Sequence, residues 1–192
     1  MPKLYIISGC NGAGKTTASY TILPEMLNCR EFVNADEIAR GLSPFNPENV
    51  AIEAGRIMLN RIRELMDDGV DFAFETTLAT RSYTSFVRDA QAKGYQVTLL
   101  YFWLNSPDLA IKRVAKRVAA GGHNIDEETI KRRYAKGIDN LFNLYMDIVD
   151  YWILADNSES PFKIIADGEK NETKRIADTS LYKTVEEWTR KR

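Results

Sequence analysis

Hydrophobic positions along the chain follow two periods, one typical of buried strands and one typical of helices. Short, nearly continuous apolar runs predict five strands, at 4–8, 31–36, 70–75, 96–104 and 151–155. Apolar residues at helical spacing predict the helices between them, over 15–27, 47–68, 81–93, 107–120 and 126–148. Strands that alternate with helices indicate an α/β fold, a doubly wound sheet of five parallel strands.

Local signals mark several boundaries of these elements. Asn46-Pro47 and Ser106-Pro107 are typical starts of helices, and Gly69 is a typical end. Beyond the fifth strand, we expect a hairpin around Asp167-Gly168 and a short helix from about 181 to 190. Ligands of doubly wound sheets bind at the carboxyl ends of the parallel strands, so residues at those ends are the first candidates for function.

Composition narrows the class of protein. The chain has 192 residues with 44% hydrophobic content, and we expect one domain over 1–192. A formal charge of −1 gives no overall basic field for binding nucleic acid or an anionic membrane. The apolar run within Met1–Cys10 is too short for a signal peptide or a spanning helix, so we expect a cytoplasmic protein. Two cysteines, Cys10 and Cys29, favour neither a disulfide framework nor a zinc site.

A glycine-rich loop lies between the first strand and the first helix. Residues 9–16, GCNGAGKT, fit the phosphate-binding pattern GxxxxGK[ST] in the position that this pattern requires. Glycines let successive backbone N–H groups surround an anion, and the helix N-terminus adds partial positive charge. Lys15 is expected on the β- and γ-phosphates of ATP, and Thr16 on Mg²⁺. The full set of expected nucleotide contacts in this loop is Gly9, Asn11, Gly12, Ala13, Gly14, Lys15, Thr16 and Thr17. Cys10 is expected to contribute mainly its backbone.

Two acidic residues are expected at the ligand edge of the sheet. Asp36 ends the second predicted strand and Glu75 ends the third. Phosphoryl transfer to an alcohol needs a carboxylate that accepts the hydroxyl proton, and often a second one that holds metal-bound water or orients the acceptor. The alternative is that these acids cap the following helices or form ion pairs.

The densest basic region begins in the fourth predicted helix and ends in the fifth. It includes the flexible pair Gly121-Gly122 and the chain's single histidine, His123. A helical lid over about 117–133, hinged on the glycines, would place an arginine on the transferring phosphoryl group and exclude water. His123 would contact the substrate or brace the lid. The arginines that project away from the apolar stripes of their helices are Arg113, Arg117 and Arg132. Equally, these arginines could form a solvated face.

The sequence resembles the zeta-toxin-like family of P-loop kinases, which have adenylate-kinase-like folds. The matching segments, within roughly the first 160 residues, are 9–17, Asn34-Ala35-Asp36, 74–78 (FETTL), Arg117 with Gly121-Gly122-His123, and Arg132-Arg133-Tyr134. The resemblance implies that Asp36 is the catalytic base and that Arg117, with Arg132 or Arg133, holds ATP phosphates. It also implies an acceptor site that includes Glu75 and Thr76, and we add Arg81 and His123 as candidates there. Known family members phosphorylate a sugar hydroxyl of UDP-N-acetylglucosamine.

These observations predict a phosphotransferase that uses ATP and Mg²⁺ and acts on a hydroxyl of a small molecule. The acceptor is a nucleotide sugar if the resemblance extends to substrate. The alternatives are another small-molecule kinase, acting on a nucleoside, nucleotide or antibiotic, and a P-loop ATPase or switch without an acceptor. The sequence contains neither the guanine-reading motif NKxD nor the transporter signature LSGGQ, so no motif supports the switch. An antitoxin is a conceivable partner that no segment of the sequence indicates.

Overall fold

The computed structural model describes residues 1–122, 124–170 and 172–190. Within these ranges the strands are β1 (Lys3–Ser8), β2 (Glu31–Val33), β3 (Phe72–Thr76), β4 (Gln96–Trp103), β5 (Tyr151–Asp156), β6 (Lys163–Glu169) and β7 (Glu172–Ile176). The helices are α1 (Lys15–Thr21), α2 (Ala35–Leu42), α3 (Ala51–Asp68), α4 (Tyr83–Ala92), α5 (Pro107–Ala119), α6 (Glu127–Asn140), α7 (Met146–Ile148) and α8 (Thr179–Glu187). A 3₁₀ turn (Pro47–Val50) precedes α3, and π-helical turns follow α1 (Ile22–Met26) and α6 (Leu141–Tyr145).

The strands form one sheet in the order β2-β3-β1-β4-β5-β6-β7. Pairing is parallel from β2 to β5, which confirms the expected parallel sheet of five strands. The hairpin of β6 and β7 then extends it to seven strands, because β6 pairs antiparallel with β5. The central strand β1 ends level with β3, where Ile7 pairs with Glu75 and Ser8 with Thr76. This register brings the glycine-rich loop and Glu75 to the same edge.

The second predicted strand is wrong over its last three residues. β2 ends at Val33, and Asn34 begins α2, a helix that the apolar pattern did not reveal. The cause is local: the Asn34 side chain accepts hydrogen bonds from the backbone N–H groups of Asp36 and Glu37, which starts a helix in place of further strand. Asp36 therefore lies in the first turn of a helix and not at the end of a strand.

The C-terminal hairpin is present, but its predicted turn is misplaced. Asp167 and Gly168 lie inside β6, which continues to Glu169. Gly168 packs against the indole of Trp152: a Cβ there would lie 2.5 Å from Trp152 Cζ2 and 2.3 Å from a backbone oxygen. The glycine is needed for this close approach and not for a turn.

Two further boundary signals had different outcomes. Ser106 does cap α5, because its Oγ accepts from the Leu109 N–H at 3.2 Å. Asn46 makes no side-chain cap, and Pro47 opens the 3₁₀ turn before α3. In the described part of the chain, no helix combines the length and apolar character needed to cross a membrane.

The core lies on the central strands and the helices that cover them. Its largest fully buried side chains include Trp103, Trp152, Tyr101, Tyr134 and Tyr145. Burial of each such side chain contributes a few kcal/mol, so the sheet is a rigid base for the loops at its carboxyl edge.

Candidate phosphate and metal site

The glycine-rich loop connects β1 to α1 in a conformation that depends on its glycines. Gly9, Gly12 and Gly14 all have positive φ. A Cβ on Gly14 would lie 2.6 Å from Nδ2 of Asn157, and that amide donates a 2.7 Å hydrogen bond to the Ala13 carbonyl. The segment after β5 thus packs directly on the loop and fixes its shape.

Lys15 lies over this loop and is only 6% exposed. Its Nζ donates to the Cys10 carbonyl at 3.0 Å and lies 3.5 Å from Oε1 of Glu75. The ammonium of Lys15 is thus buried, with an acidic neighbour, next to the glycine-rich loop. The role of Lys15 on the phosphates stays a prediction from the motif. Thr17 is exposed on the first turn of α1.

Glu75 connects three groups at the end of β3. Its Oε2 accepts from the Thr16 hydroxyl at 2.7 Å and from Asn34 Nδ2 at 2.9 Å, and its Oε1 faces Lys15. Within the described residues, no group of three or more His, Cys, Asp or Glu side chains could hold a metal ion. Mg²⁺ does not need one, because it usually takes one or two protein oxygens together with waters and substrate phosphates. The Thr16 hydroxyl and the Glu75 carboxylate are oxygen ligands of the kind that Mg²⁺ prefers, so these residues fit the ion.

Asp36 approaches the site from the first turn of α2. Its backbone N–H donates to Asn34 Oδ1 at 2.8 Å. Together with Arg40, Glu48 and Arg117, it lines a cavity of about 70 Å³ between α2, the 3₁₀ turn and the end of α5. The structure therefore brings Arg117 and Asp36 to the same cavity.

The two neighbouring arginines in the middle of α6 are not equivalent. Nη1 of Arg133 donates to Oδ1 of Asn11 in the glycine-rich loop at 3.1 Å, whereas Arg132 is exposed. Burial lowers the pKa of Arg133 from its ordinary value, and the nearby charge of Arg132 lowers it further. The carboxylates of Asp36 and Asp126 act in the opposite direction.

Arg113 has a different environment from the other basic residues. Its guanidinium donates two 2.8 Å hydrogen bonds, to the carbonyls of Asn157 and Ser158. It therefore holds the segment after β5 in place against the glycine-rich loop. The alternative of a solvated face does not describe this side chain.

The two glycines expected as a hinge end α5. Gly121 has a φ of 85°, and the Gly122 N–H donates to the Arg117 carbonyl at 2.9 Å. A Cβ on Gly122 would lie 2.6 Å from Arg117 Cγ, so the missing side chain makes room for the arginine stem. His123 lies outside the described residues.

Three hydrogen bonds hold the segment after β3. Thr76 is 8% exposed, and its hydroxyl accepts from the Leu78 N–H at 3.1 Å. The Asn140 side chain donates to the Leu78 carbonyl at 2.8 Å, and the Tyr145 hydroxyl donates to the Thr80 carbonyl at 2.9 Å. Arg81 is exposed and makes no described contact with the loop or with Glu75. The Thr76 hydroxyl thus holds the turn that follows β3, and Arg81 lies at the surface.

Cys10 is buried within the loop, at 2% exposure. Burial raises the pKa of its thiol to about 11, although Lys15 and Arg113 nearby lower it in part. A thiol that stays protonated at neutral pH is a poor nucleophile, so the expected backbone role is the better description of this residue.

Neither Asn34 nor Asn157 was among the site residues expected from the sequence. A signal for Asn34 existed, since Asn followed three residues later by Glu37 is typical of a helix start. No comparable signal existed for Asn157, because its contact with Ala13 joins positions 144 residues apart.

The parallel sheet, the glycine-rich loop between β1 and α1, and the lysine and threonine that follow it define a P-loop kinase. The family profile described as Zeta toxin matches residues 1–159. The chain belongs to the zeta-toxin family, as its resemblance indicated.

One relative is similar to this chain in sequence, and several solved structures share its fold. An uncharacterised protein of Haemophilus influenzae is 30% identical over 132 residues, which cover 69% of this chain and 92% of the relative. The AvrRxo1-ORF1:AvrRxo1-ORF2 complex, solved with sulphate ions and also with ATP, superposes with TM-scores of 0.76 and 0.75 at 15% identity. The match covers 96% of this chain and 63% of the AvrRxo1 chain. The PezAT toxin–antitoxin system of Streptococcus pneumoniae gives a TM-score of 0.69 at 17% identity, over 100% of this chain and 80% of the other.

Proposed function

We propose that the protein transfers the γ-phosphoryl group of ATP to a hydroxyl of a small molecule, and that the acceptor is a nucleotide sugar such as UDP-N-acetylglucosamine. The observation that carries the transfer reaction is the contact of Glu75 with both Lys15 and Thr16, beside the helix turn that bears Asp36. The nucleotide-sugar acceptor rests on family membership. One continuous sheet and core also support one kinase domain over residues 1–192.

In this mechanism the backbone N–H groups of residues 9–16 and the Lys15 ammonium bind the phosphates of ATP. Thr16 and Glu75 would hold Mg²⁺, which when bound neutralises charge on the phosphate oxygens. Asp36 accepts the proton of the acceptor hydroxyl as its oxygen bonds to the γ-phosphorus and the bond to the ADP oxygen breaks. Arg133 holds the loop side of the phosphates, and Arg117 faces the acceptor side together with Asp36. A kinase that draws on cellular ATP would work in the cytoplasm.

The test is transfer to a panel of acceptors. The protein is incubated with Mg-ATP and UDP-N-acetylglucosamine, nucleosides, nucleotides, aminoglycosides or a metabolite extract, and phosphorylated products are detected by their mass shift. We expect one phosphorylated nucleotide sugar. A product from another compound would correct the acceptor, and ATP turnover that no acceptor changes would favour the ATPase or switch.

Asp36→Asn gives the sharpest control for this reaction. We expect it to bind ATP as the wild type does, while transfer falls by about 10² to 10⁴ because the general base is gone. Glu37→Gln is the matched variant, since Glu37 is the next residue and pairs only with Arg40 in the described contacts, at 3.3 Å. Retained transfer in Asp36→Asn would show that another group accepts the proton.

We also propose that a second protein restrains this kinase. The support is that one structural neighbour, PezAT, is a toxin–antitoxin system, and that another, AvrRxo1-ORF1:AvrRxo1-ORF2, is a complex of two proteins. Expression of the wild type should slow growth, and Asp36→Asn should not. Equal growth of both strains would show that the kinase activity is not toxic, and a restraining partner would then have no evident purpose.

A further inference from the structure

Asn34 uses both ends of its side-chain amide at the junction of β2 and α2. Its Oδ1 accepts from the N–H groups of Asp36 at 2.8 Å and Glu37 at 3.4 Å. Its Nδ2 donates to Oε2 of Glu75 at 2.9 Å and reaches the Thr16 hydroxyl at 3.4 Å. The residue is only 5% exposed, so these four contacts account for the polar atoms of a buried side chain.

Helix capping alone does not require an asparagine here. Ser, Thr and Asp cap helices about as well, because each offers an oxygen to the backbone N–H groups. Asp has no donor when ionised, and Ser has a shorter side chain than Asn. The Asn34 amide can accept hydrogen bonds from the helix backbone and donate one to Glu75 at the same time.

The donor end acts on the oxygen of Glu75 that also accepts from Thr16. Oε2 receives hydrogen bonds from Thr16 and Asn34, while Oε1 faces Lys15. Because the amide is neutral, it orients the carboxylate without adding charge next to the metal and phosphate groups. The acceptor end fixes the backbone of the turn that carries Asp36.

We propose that Asn34 is a positioning residue that sets Asp36 relative to the Glu75–Thr16 pair. Its capping end places the base, its donor end places the pair that would hold Mg²⁺, and one rigid amide connects them. The part of this proposal that concerns transfer rests on the proposed function. The part that concerns Glu75 and Thr16 does not need an acceptor.

The test separates the two ends of the amide with two variants. Asn34→Ser keeps a capping oxygen and removes the long donor, whereas Asn34→Ala removes both. Three quantities are measured in each: the thermal midpoint, the affinity for ATP in Mg²⁺ and in EDTA, and the kcat and KM of transfer.

For Asn34→Ser we expect a midpoint near that of the wild type. The gain in ATP affinity from Mg²⁺ and the kcat should each fall by about 10- to 100-fold, as for a lost partner of a metal ligand. The KM of the acceptor should change little, because the polar atoms of the Asn34 side chain are already bonded to Thr16, Glu75 and the backbone of α2. Asn34→Ala should show the same losses, with a midpoint lower by about 2–4 °C for the lost cap.

The outcomes distinguish this proposal from the proposed function. If Asn34→Ser keeps the wild-type Mg²⁺ effect and kcat, Asn34 is only a cap and the proposal is overturned. A wild type that transfers phosphate to no acceptor would overturn the proposed function. If Asn34→Ser still loses the Mg²⁺ effect in that case, the positioning of Glu75 and Thr16 by Asn34 is supported. If the wild type binds no ATP with or without Mg²⁺, both are overturned.

Discussion

Arg133 of α6 and Asn11 of the glycine-rich loop are joined by a hydrogen bond of 3.1 Å, although 122 positions separate them in the sequence. The contact brings the middle of α6 onto the loop. It also distinguishes Arg133 from its neighbour Arg132, which is exposed. The resemblance left open which of the two would hold the phosphates, and the geometry favours Arg133.

Replacement of Arg133 should therefore impair transfer far more than replacement of Arg132. We expect Arg133→Ala to lower kcat by about 10² to 10³, the usual cost of removing one preorganised donor to a transition-state oxygen. Arg132→Ala is the matched control and should stay within about twofold of the wild type, as an exposed charge. Steady-state kinetics of both variants with the same acceptor would check this, and equal losses would contradict it.

Glu75 should control the response to Mg²⁺ more than the binding of ATP itself. Glu75→Gln removes a negative charge that lies 3.5 Å from Lys15, so metal-free ATP should bind at least as well as to the wild type. The gain in affinity from Mg²⁺ should fall by about 10- to 100-fold. Calorimetric titration of ATP in Mg²⁺ and in EDTA measures both quantities.

Glu37→Gln serves as the control for that experiment. Glu37 forms an exposed ion pair with Arg40, which is expected to contribute little. A Glu75→Gln protein with an unchanged Mg²⁺ effect would return Glu75 to the acceptor site, the role implied by the family resemblance.

The sequence was most informative where a pattern is local. The glycine-rich loop, the strand β4 and the Ser106 cap of α5 each follow from a short run of residues, and the structure has them in place. The helix α2 was missed because its start depends on the cap made by the Asn34 side chain. Residues 34–36 were instead expected to continue the second strand. The hairpin turn was misplaced because the close approach of Gly168 to Trp152 is a tertiary contact.

Contacts between distant parts of the chain could not be predicted from the sequence. Glu75 was expected at the ligand edge, but its hydrogen bond with Thr16 depends on the register of β1 with β3. Arg113 was grouped with the lid arginines, and only the fold reveals its bonds to the carbonyls of Asn157 and Ser158. Helical periodicity predicts the face of the helix on which a side chain lies, but it does not identify the residues that the side chain contacts.

The segment after β3 should need the buried side-chain amide of Asn140 to keep its conformation. Leu78 has a φ of 59°, unusual for a residue with a side chain, and the Asn140 amide holds its carbonyl. Asn140→Ala leaves that carbonyl without this donor, so we expect a loss of about 1–3 kcal/mol in the free energy of unfolding. Urea denaturation measures the loss.

We expect the same variant to raise the acceptor KM and leave ATP affinity unchanged, because Asn140 bonds to Leu78, just after the acceptor-site candidate Thr76, and has no described contact with the glycine-rich loop. The control is Asn143→Ala, an exposed residue of the following turn whose amide bonds only to Asp139 in the described contacts. An Asn140→Ala protein as stable as Asn143→Ala would show that the segment holds its conformation without this bond.

The two buried thiols should make folding stability fall in alkaline solution. Burial raises the pKa of both Cys10 and Cys29 from an ordinary value of 9.0 to about 11. Each thiol therefore contributes its full stabilisation below pH 9. The contribution is lost as the pH rises towards 11, because the unfolded thiol ionises first.

In this window the free energy of unfolding should decrease by about 1.4 kcal/mol per pH unit for each thiol. The comparison is between the wild type and the double variant Cys10→Ala/Cys29→Ala, by urea denaturation at intervals from pH 8 to 11. The variant will be less stable at every pH because two buried side chains are shortened. The comparison is therefore between the slopes of the free energy of unfolding against pH, and not between its absolute values. Tyrosines titrate in both proteins and cancel in the difference. If the two slopes agree, the thiols are already ionised or exposed in the folded protein, and the loop around Cys10 is more open than its 2% exposure implies.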